Sequence, residues 1–264
     1  MYKAKNKTLI LNSIQMDYLT FGKGSRPLIL ILGLSTQRLK GRAFSMSYAY
    51  RIFAKDYKVY MFDRRAQAET GYSIADMADE LAEAIKKLQL KTVDVVGVSQ
   101  GGMIAQLLAI RYPELVHKLV LGVTLPKAND TALSTIGNWI KLAKANDREQ
   151  LILDAMNKVF SEPWLRRYRW LIFLWSKLMK PKELDRFIIL ADSILHFDAS
   201  DKLKEIACPV FVIGGAQDKV VGAQSSAELA QALDCSSYIY PHLGHSAYVE
   251  AKDFNQRILT FLQS

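Results

Sequence analysis

The stretch VVGVSQGGMIAQLLAI, residues 95–110, decides how this chain is read. A β-branched apolar run ends on Ser99, with Gly97 and Gly101 two positions away on either side, and a helix-like pattern begins at once. A serine at such a strand-to-helix turn needs a strained backbone to lift its hydroxyl clear of the sheet. Only glycine leaves room two residues before and after it. A glycine-rich turn that serves packing alone has the same spelling, so the surrounding elements must decide.

Outward from Ser99 the pattern alternates. PLILILG (27–33), KVYMFD (58–63), TVDVVGV (92–98), HKLVLGV (117–123), PVFVIGG (209–215) and SSYIYP (236–241) are short, continuous apolar runs, as in strands buried on both faces. Helical spacing falls between them, over 44–54, 73–90, 100–111, 223–233 and 248–262. Residues 73–90 are strongly amphipathic, with Ser73 as cap, early acids and late lysines. Residues 8–22 read as an opening antiparallel pair. Strands alternating with helices predict an α/β fold, a parallel sheet covered by helices on both faces. Residues 125–200 break the alternation with helical patterns alone, which predicts an insertion at one edge of the sheet, a cap or lid, between core segments 1–124 and 201–264.

The chain has 264 residues, enough for one substantial core, and half of them are hydrophobic. Two cysteines, Cys208 and Cys235, lack metal-site spacing and read as reduced thiols, as in a reducing cytosol. No apolar run approaches the roughly 20 residues that span a bilayer, and the N-terminus has no secretory pattern, so a cytoplasmic protein is expected. The net charge of +9 comes with no nucleic-acid-binding motif, and no nucleic-acid partner is expected.

A serine nucleophile needs a base, and the chain has four histidines. His117 opens a strand and His196 ends the insertion. His242 and His245 share the loop PHLGHSAY after the last strand, where His245, next to Gly244 and ahead of the closing helix, is the better placed. Asp218 in VIGGAQDKVV lies just beyond a strand on the same sheet edge, and Asp63 reads as a loop-holding carboxylate. Ser99, Asp218 and His245 thus all fall at the carboxyl ends of parallel strands, where open α/β sheets put their ligands. The chain order Ser, Asp, His agrees with one familiar triad arrangement.

Through GVSQGG, GGAQDKVV, GHSAYVEAKDFNQRILTFL, MFDRRAQAET and LILGLS the sequence resembles the α/β-hydrolase superfamily over nearly its whole length. The resemblance implies an eight-stranded, mostly parallel sheet with a helical cap. It implies Ser99 as nucleophile, His245 as base, Asp218 as its partner, and an oxyanion hole from the backbone N–H groups of Leu34 and Gln100. Such chemistry needs no metal and no organic cofactor. Two features depart from the family pattern. Leu32 precedes Gly33 where many relatives have histidine, and Ala66 and Ala68 replace glycines after Asp-Arg.

A serine hydrolase of a small or medium ester, thioester or lactone is the expected function. A carbon–carbon bond hydrolase or lyase of the same fold, and a non-catalytic ligand binder with an intact triad, are the alternatives. In PWLRRYRWLIFLWSKLMKPK (163–182) three tryptophans are interleaved with Arg166, Arg167, Arg169, Lys177, Lys180 and Lys182. The favoured reading is a cap helix turning its apolar side over the site, so that the partner is an apolar acyl or aromatic small molecule. Contact with anionic lipid is the less favoured reading.

Overall fold

The computed structural model describes residues 3–12, 14–178 and 183–264. The strands are β1 (Lys5–Leu11), β2 (Ile14–Phe21), β3 (Arg26–Ile31), β4 (Tyr57–Phe62), β5 (Val93–Val98), β6 (Val116–Gly122), β7 (Val210–Gly215) and β8 (Ser236–Tyr240). They form one sheet in the order β1-β2-β4-β3-β5-β6-β7-β8. β2 pairs antiparallel with both β1 and β4, and every pairing from β4 to β8 is parallel.

The apolar runs without polar alternation are explained by two cores. Because side chains alternate along a strand, Ile29 and Ile31 of β3 and Val93 and Val95 of β5 enter one core, while Leu28, Leu30, Val96 and Val98 enter the other. The first core is closed by α2 (Ile74–Lys87) and α3 (Gln100–Arg111), joined later in the chain by α8 (Ser225–Ala232). The second is closed by α1 (Ala43–Ala49) and α10 (Phe254–Gln263), with the short α9 (Ala247–Glu250) beside it. At the start of α2, Ser73 accepts from Asp76 N at 3.1 Å, and the Asp76 carboxylate accepts from Ser73 N at 2.8 Å. This is the reciprocal box that its sequence announces.

Two helices are shorter than their spacing predicts. The helix expected over 44–54 stops at Ala49, because Tyr50 leaves helical geometry, and a 3₁₀ turn over Arg51–Ala54 completes it. That tighter turn buries Phe53 and Ala54 against the sheet. The helix expected over 248–262 is broken by extended backbone at Ala251, after which Asp253 takes hydrogen bonds from Tyr240 Oη at 2.8 Å and Arg257 Nε at 2.7 Å.

Between β6 and β7 lie α4 (Asp130–Lys144), α5 (Arg148–Val159), α6 (Glu162–Leu178) and α7 (Leu184–Leu195). The chain enters and leaves this insertion side by side. Ala128 N donates to Phe197 O and Ala199 N to Pro126 O, both at 2.9 Å, and Lys127 pairs with Asp198 at 3.2 Å. α6 presents Trp170, 67% exposed, and Leu174, 46% exposed, beside exposed Arg166, Arg167 and Arg169. Its apolar side is therefore not all turned inward, although Ile172 is buried. Lys180, Lys182 and the side chain of Trp175 lie outside the described residues. Among the described residues no helix is long and apolar enough to cross a membrane.

Candidate active site

Ser99 caps α3 directly after β5, with φ 56° and ψ −124°. A non-glycine residue held there costs about 1–3 kcal/mol. The surroundings fix it in place. Ser99 N donates to Gly122 O at 2.9 Å, and Ser99 O accepts from Thr124 Oγ1 at 2.9 Å and Gly102 N at 2.8 Å. The flanking glycines are required by close approach. A Cβ on Gly97 would lie 2.4 Å from Gly101 O, and one on Gly101 would lie 2.1 Å from Ile31 O. The motif is thus a packing solution for a serine forced upward at the end of a central strand.

The loops after β7 and β8 bring the other two groups to that hydroxyl. His245 Nε2 lies 3.0 Å from Ser99 Oγ, and His245 Nδ1 lies 2.8 Å from Asp218 Oδ2. All three side chains are buried. Asp218 is itself held, because its Oδ1 accepts from Val220 N at 2.8 Å and Val221 N at 3.0 Å. An ionised carboxylate only accepts, so Nδ1 carries the imidazole proton and Nε2 is left to accept from the serine. The other histidines are elsewhere. His242 is exposed, His117 pairs with Asp94 at 2.7 Å, and His196 is exposed at the end of α7.

Leu34 and Gln100 flank the serine from the loop after β3 and from the first turn of α3. Among the described residues neither backbone N–H has an acceptor. The N-terminus of α3 adds its partial positive charge at this spot. Above the hydroxyl is a cavity of about 80 Å³, whose walls include Leu34, Met103, Ile136, Trp139, Val159 and Tyr248 together with Ser99 and His245. The insertion supplies much of that wall from α4, the end of α5 and α7. No described residue of α6 lines it.

Sequence reasoning missed a buried polar cluster beneath this site. Arg64 Nη2 donates to Leu32 O at 2.6 Å and to Gln100 Oε1 at 3.0 Å, while Gln100 Nε2 donates to Leu190 O at 2.6 Å. One guanidinium thus joins the loop after β3 to the first residue of α3, whose own amide reaches the insertion. With Leu32 in place of histidine, the carbonyl of that residue is held by Arg64 instead. Asp63 accepts from Leu39 N at 2.8 Å, Arg64 N at 2.9 Å and Arg186 Nη2 at 2.9 Å, so it does hold its loop. Ala66 is tied by its backbone, donating to Gln15 O at 2.9 Å and accepting from Arg38 Nη2 at 2.7 Å, and Ala68 packs against the first core. The Asp63-Arg64-Arg65 run beside a missing histidine was the only sequence signal for this cluster.

Sheet order, the serine turn and the histidine loop define a class of protein, and comparison with known proteins names it. The family model for the alpha/beta hydrolase fold matches residues 27–252, and the chain belongs to that family. The RutD protein of Rhizobium rhizogenes is 27% identical over 225 residues, covering 80% of this chain and 84% of that protein. The 3-oxoadipate enol-lactonase 2 of Acinetobacter baylyi is 22% identical over 251 residues, covering 92% and 91%. Among solved structures, the enol-lactonase of Burkholderia xenovorans LB400 superposes with a TM-score of 0.85 at 18% identity, over 98% of this chain and all of that one.

Proposed function

We propose that this protein is a serine hydrolase that cleaves a small ester, thioester or lactone through an acyl-enzyme. The observation that carries the reading is the hydrogen-bonded chain Ser99–His245–Asp218 at the floor of an apolar cavity. Ser99 Oγ attacks the substrate carbonyl while His245 Nε2 takes its proton. Asp218 holds the ring in the accepting tautomer and stabilises the imidazolium that forms. Negative charge on the carbonyl oxygen is met by the Leu34 and Gln100 N–H groups, neither of which has an acceptor among the described residues. His245 then gives its proton to the leaving group. Water, activated by the same ring, releases the acid.

The cavity argues for a short acyl group. Its volume is about 80 Å³, and one water needs about 10–15 Å³ on this measure, so it holds a few carbon atoms rather than a long chain. Helices of the 125–200 insertion act in this reading as the cap that selects the substrate. The enol-lactonases among its relatives are named for opening a lactone, which is an internal ester, and support the same class of substrate.

A panel of p-nitrophenyl esters of graded chain length, with fluorophosphonate labelling, tests the proposal. Wild type is expected to be labelled and to prefer short acyl groups, and Ser99→Ala to lose labelling and about 10⁴ to 10⁶ in rate. Labelling that survives Ser99→Ala rejects the nucleophile assignment.

A further inference from the structure

A second cavity, of about 30 Å³, shares Gly33 with the first and has a different character. Arg42, Arg64 and Arg186 line it against a single carboxylate, Asp63. Asp63 is already engaged by two backbone N–H groups and by Arg186. Nearby acids are also committed, Glu183 to Arg38 and Glu80 to Arg65. Arg42 has no ion pair among the described residues. Arg64, only 8% exposed, spends its two hydrogen bonds on neutral oxygens, and its buried Nε has no partner among the described residues.

Buried charges are ordinarily paired, because an unpaired one forfeits hydration without compensation. Here burial pushes the Arg64 guanidinium down to about 10 against the opposing pull of Asp63, which leaves it protonated at neutral pH but short of a counter-charge. We propose that this cavity is a subsite for one carboxylate, held by the guanidinium groups of Arg64 and Arg42, which both line it. Its size agrees, because about 30 Å³ is the room of roughly two waters, the space of two carboxylate oxygens. Guanidinium and carboxylate are matched in plane and charge. The location agrees too. A Cβ on Gly33 would lie 3.1 Å from Ser99 Cβ, so one residue of backbone separates the subsite from the serine. A substrate with a free acid near its scissile carbonyl and a free carboxylate from solution offer the same chemistry. The first source rests on the hydrolase reading, and the second does not.

Two arms separate these sources. In the first, thermal melts of the wild-type protein are recorded with sodium formate and with its neutral isostere formamide, at constant ionic strength. Formate is expected to raise the melting temperature saturably and formamide to leave it unchanged, with formate affinity falling about tenfold or more in Arg42→Gln. Arg64→Met is the more direct change but also releases Leu32 and Gln100, so the more exposed Arg42 carries the test. Equal responses to formate and formamide, or a formate response untouched by Arg42→Gln, overturn the subsite. In the second arm, kcat/KM is compared for p-nitrophenyl esters of butyrate and hemisuccinate. A tenfold fall in the hemisuccinate-to-butyrate ratio in Arg42→Gln assigns the carboxylate to the substrate. An unchanged ratio, with formate binding by wild type that Arg42→Gln weakens, assigns it to a free carboxylate. Absence of turnover of either ester defeats the hydrolase reading and leaves the formate arm to decide the subsite alone.

Discussion

Replacing Asp218 by asparagine changes one atom and, by the geometry here, reverses the direction of a proton. Asp218 Oδ1 accepts from two backbone N–H groups, Val220 at 2.8 Å and Val221 at 3.0 Å, whereas Oδ2 faces only His245 Nδ1. An amide must decide which end meets which. Its NH₂ turned toward the two backbone donors leaves both unsatisfied, at about 1–3 kcal/mol each, so about 2–6 kcal/mol favours the opposite orientation. The NH₂ therefore points at Nδ1, the ring proton moves to Nε2, and the nitrogen facing Ser99 becomes a donor that cannot accept the serine proton. Wrong-tautomer imidazole costs about 10⁴ in rate in other serine hydrolases, or about 5.4 kcal/mol at 1.36 kcal/mol per tenfold. The assay is kcat/KM on a short p-nitrophenyl ester, with a thermal melt to confirm that the variant is folded. A folded Asp218→Asn protein that loses less than tenfold refutes the tautomer argument and Asp218 as the orienting acid.

Three further outcomes are expected. Gly101→Ala drives a Cβ into the β3 backbone and should cost about 3 kcal/mol or more, a fall of about 6–12 °C in melting temperature; a melt within 2 °C of wild type, or about 1 kcal/mol, contradicts the close approach. Ile136→Ala, which enlarges the apolar cavity, should move the preferred acyl chain up by one or two carbons while costing about 2–5 kcal/mol of stability, and an unchanged chain-length profile removes Ile136 from the acyl wall. Burial pushes the Cys208 and Cys235 thiols up to about 11. The folded chain then keeps protons that the unfolded chain, near 8.5, gives up, so their share of stability is complete below about pH 8.5 and is lost as pH rises toward 11. Disulfide-reagent labelling at pH 8 should be at least about a hundredfold slower in the native than in the denatured protein, and equal rates count against the upward shift of these half-buried thiols.

What was legible in the sequence had a local cause. Strands such as PLILILG announce themselves because both faces of a central parallel strand are buried, and the serine turn because steric exclusion at Gly97 and Gly101 permits one residue type. Asp218 and His245 were locatable because the chain must return to the same sheet edge after each parallel strand. The Arg64–Gln100–Leu190 connection was not legible. It joins residues 36 and 90 positions apart through side-chain and carbonyl groups that leave no periodic trace. The break at Ala251 was hidden for a related reason. The apolar spacing of residues 248–262 continues across it, and what stops the helix is Asp253 engaging Tyr240 on the neighbouring strand. In α6 the spacing separates apolar from basic residues but cannot say which neighbour covers Trp170, and it is left 67% exposed among the described residues.

The paired strands of chain at Pro126–Ala128 and Phe197–Ala199 have an engineering consequence. The two ends of the insertion are already bonded to each other, and the loop-closure entropy of a replacement segment between them grows only slowly with its length, about 0.6 kcal/mol for each doubling. The helices above the stem are then an exchangeable cassette. Ser99, Asp218 and His245 hang from β5, β7 and β8, outside that cassette, so a graft at the stem resets the walls of the cavity without touching the strands that carry the three side chains. Gln100 marks where such a graft will be felt, since its amide loses the Leu190 carbonyl when α7 is replaced. A donor segment that presents a carbonyl at that point is the one to choose.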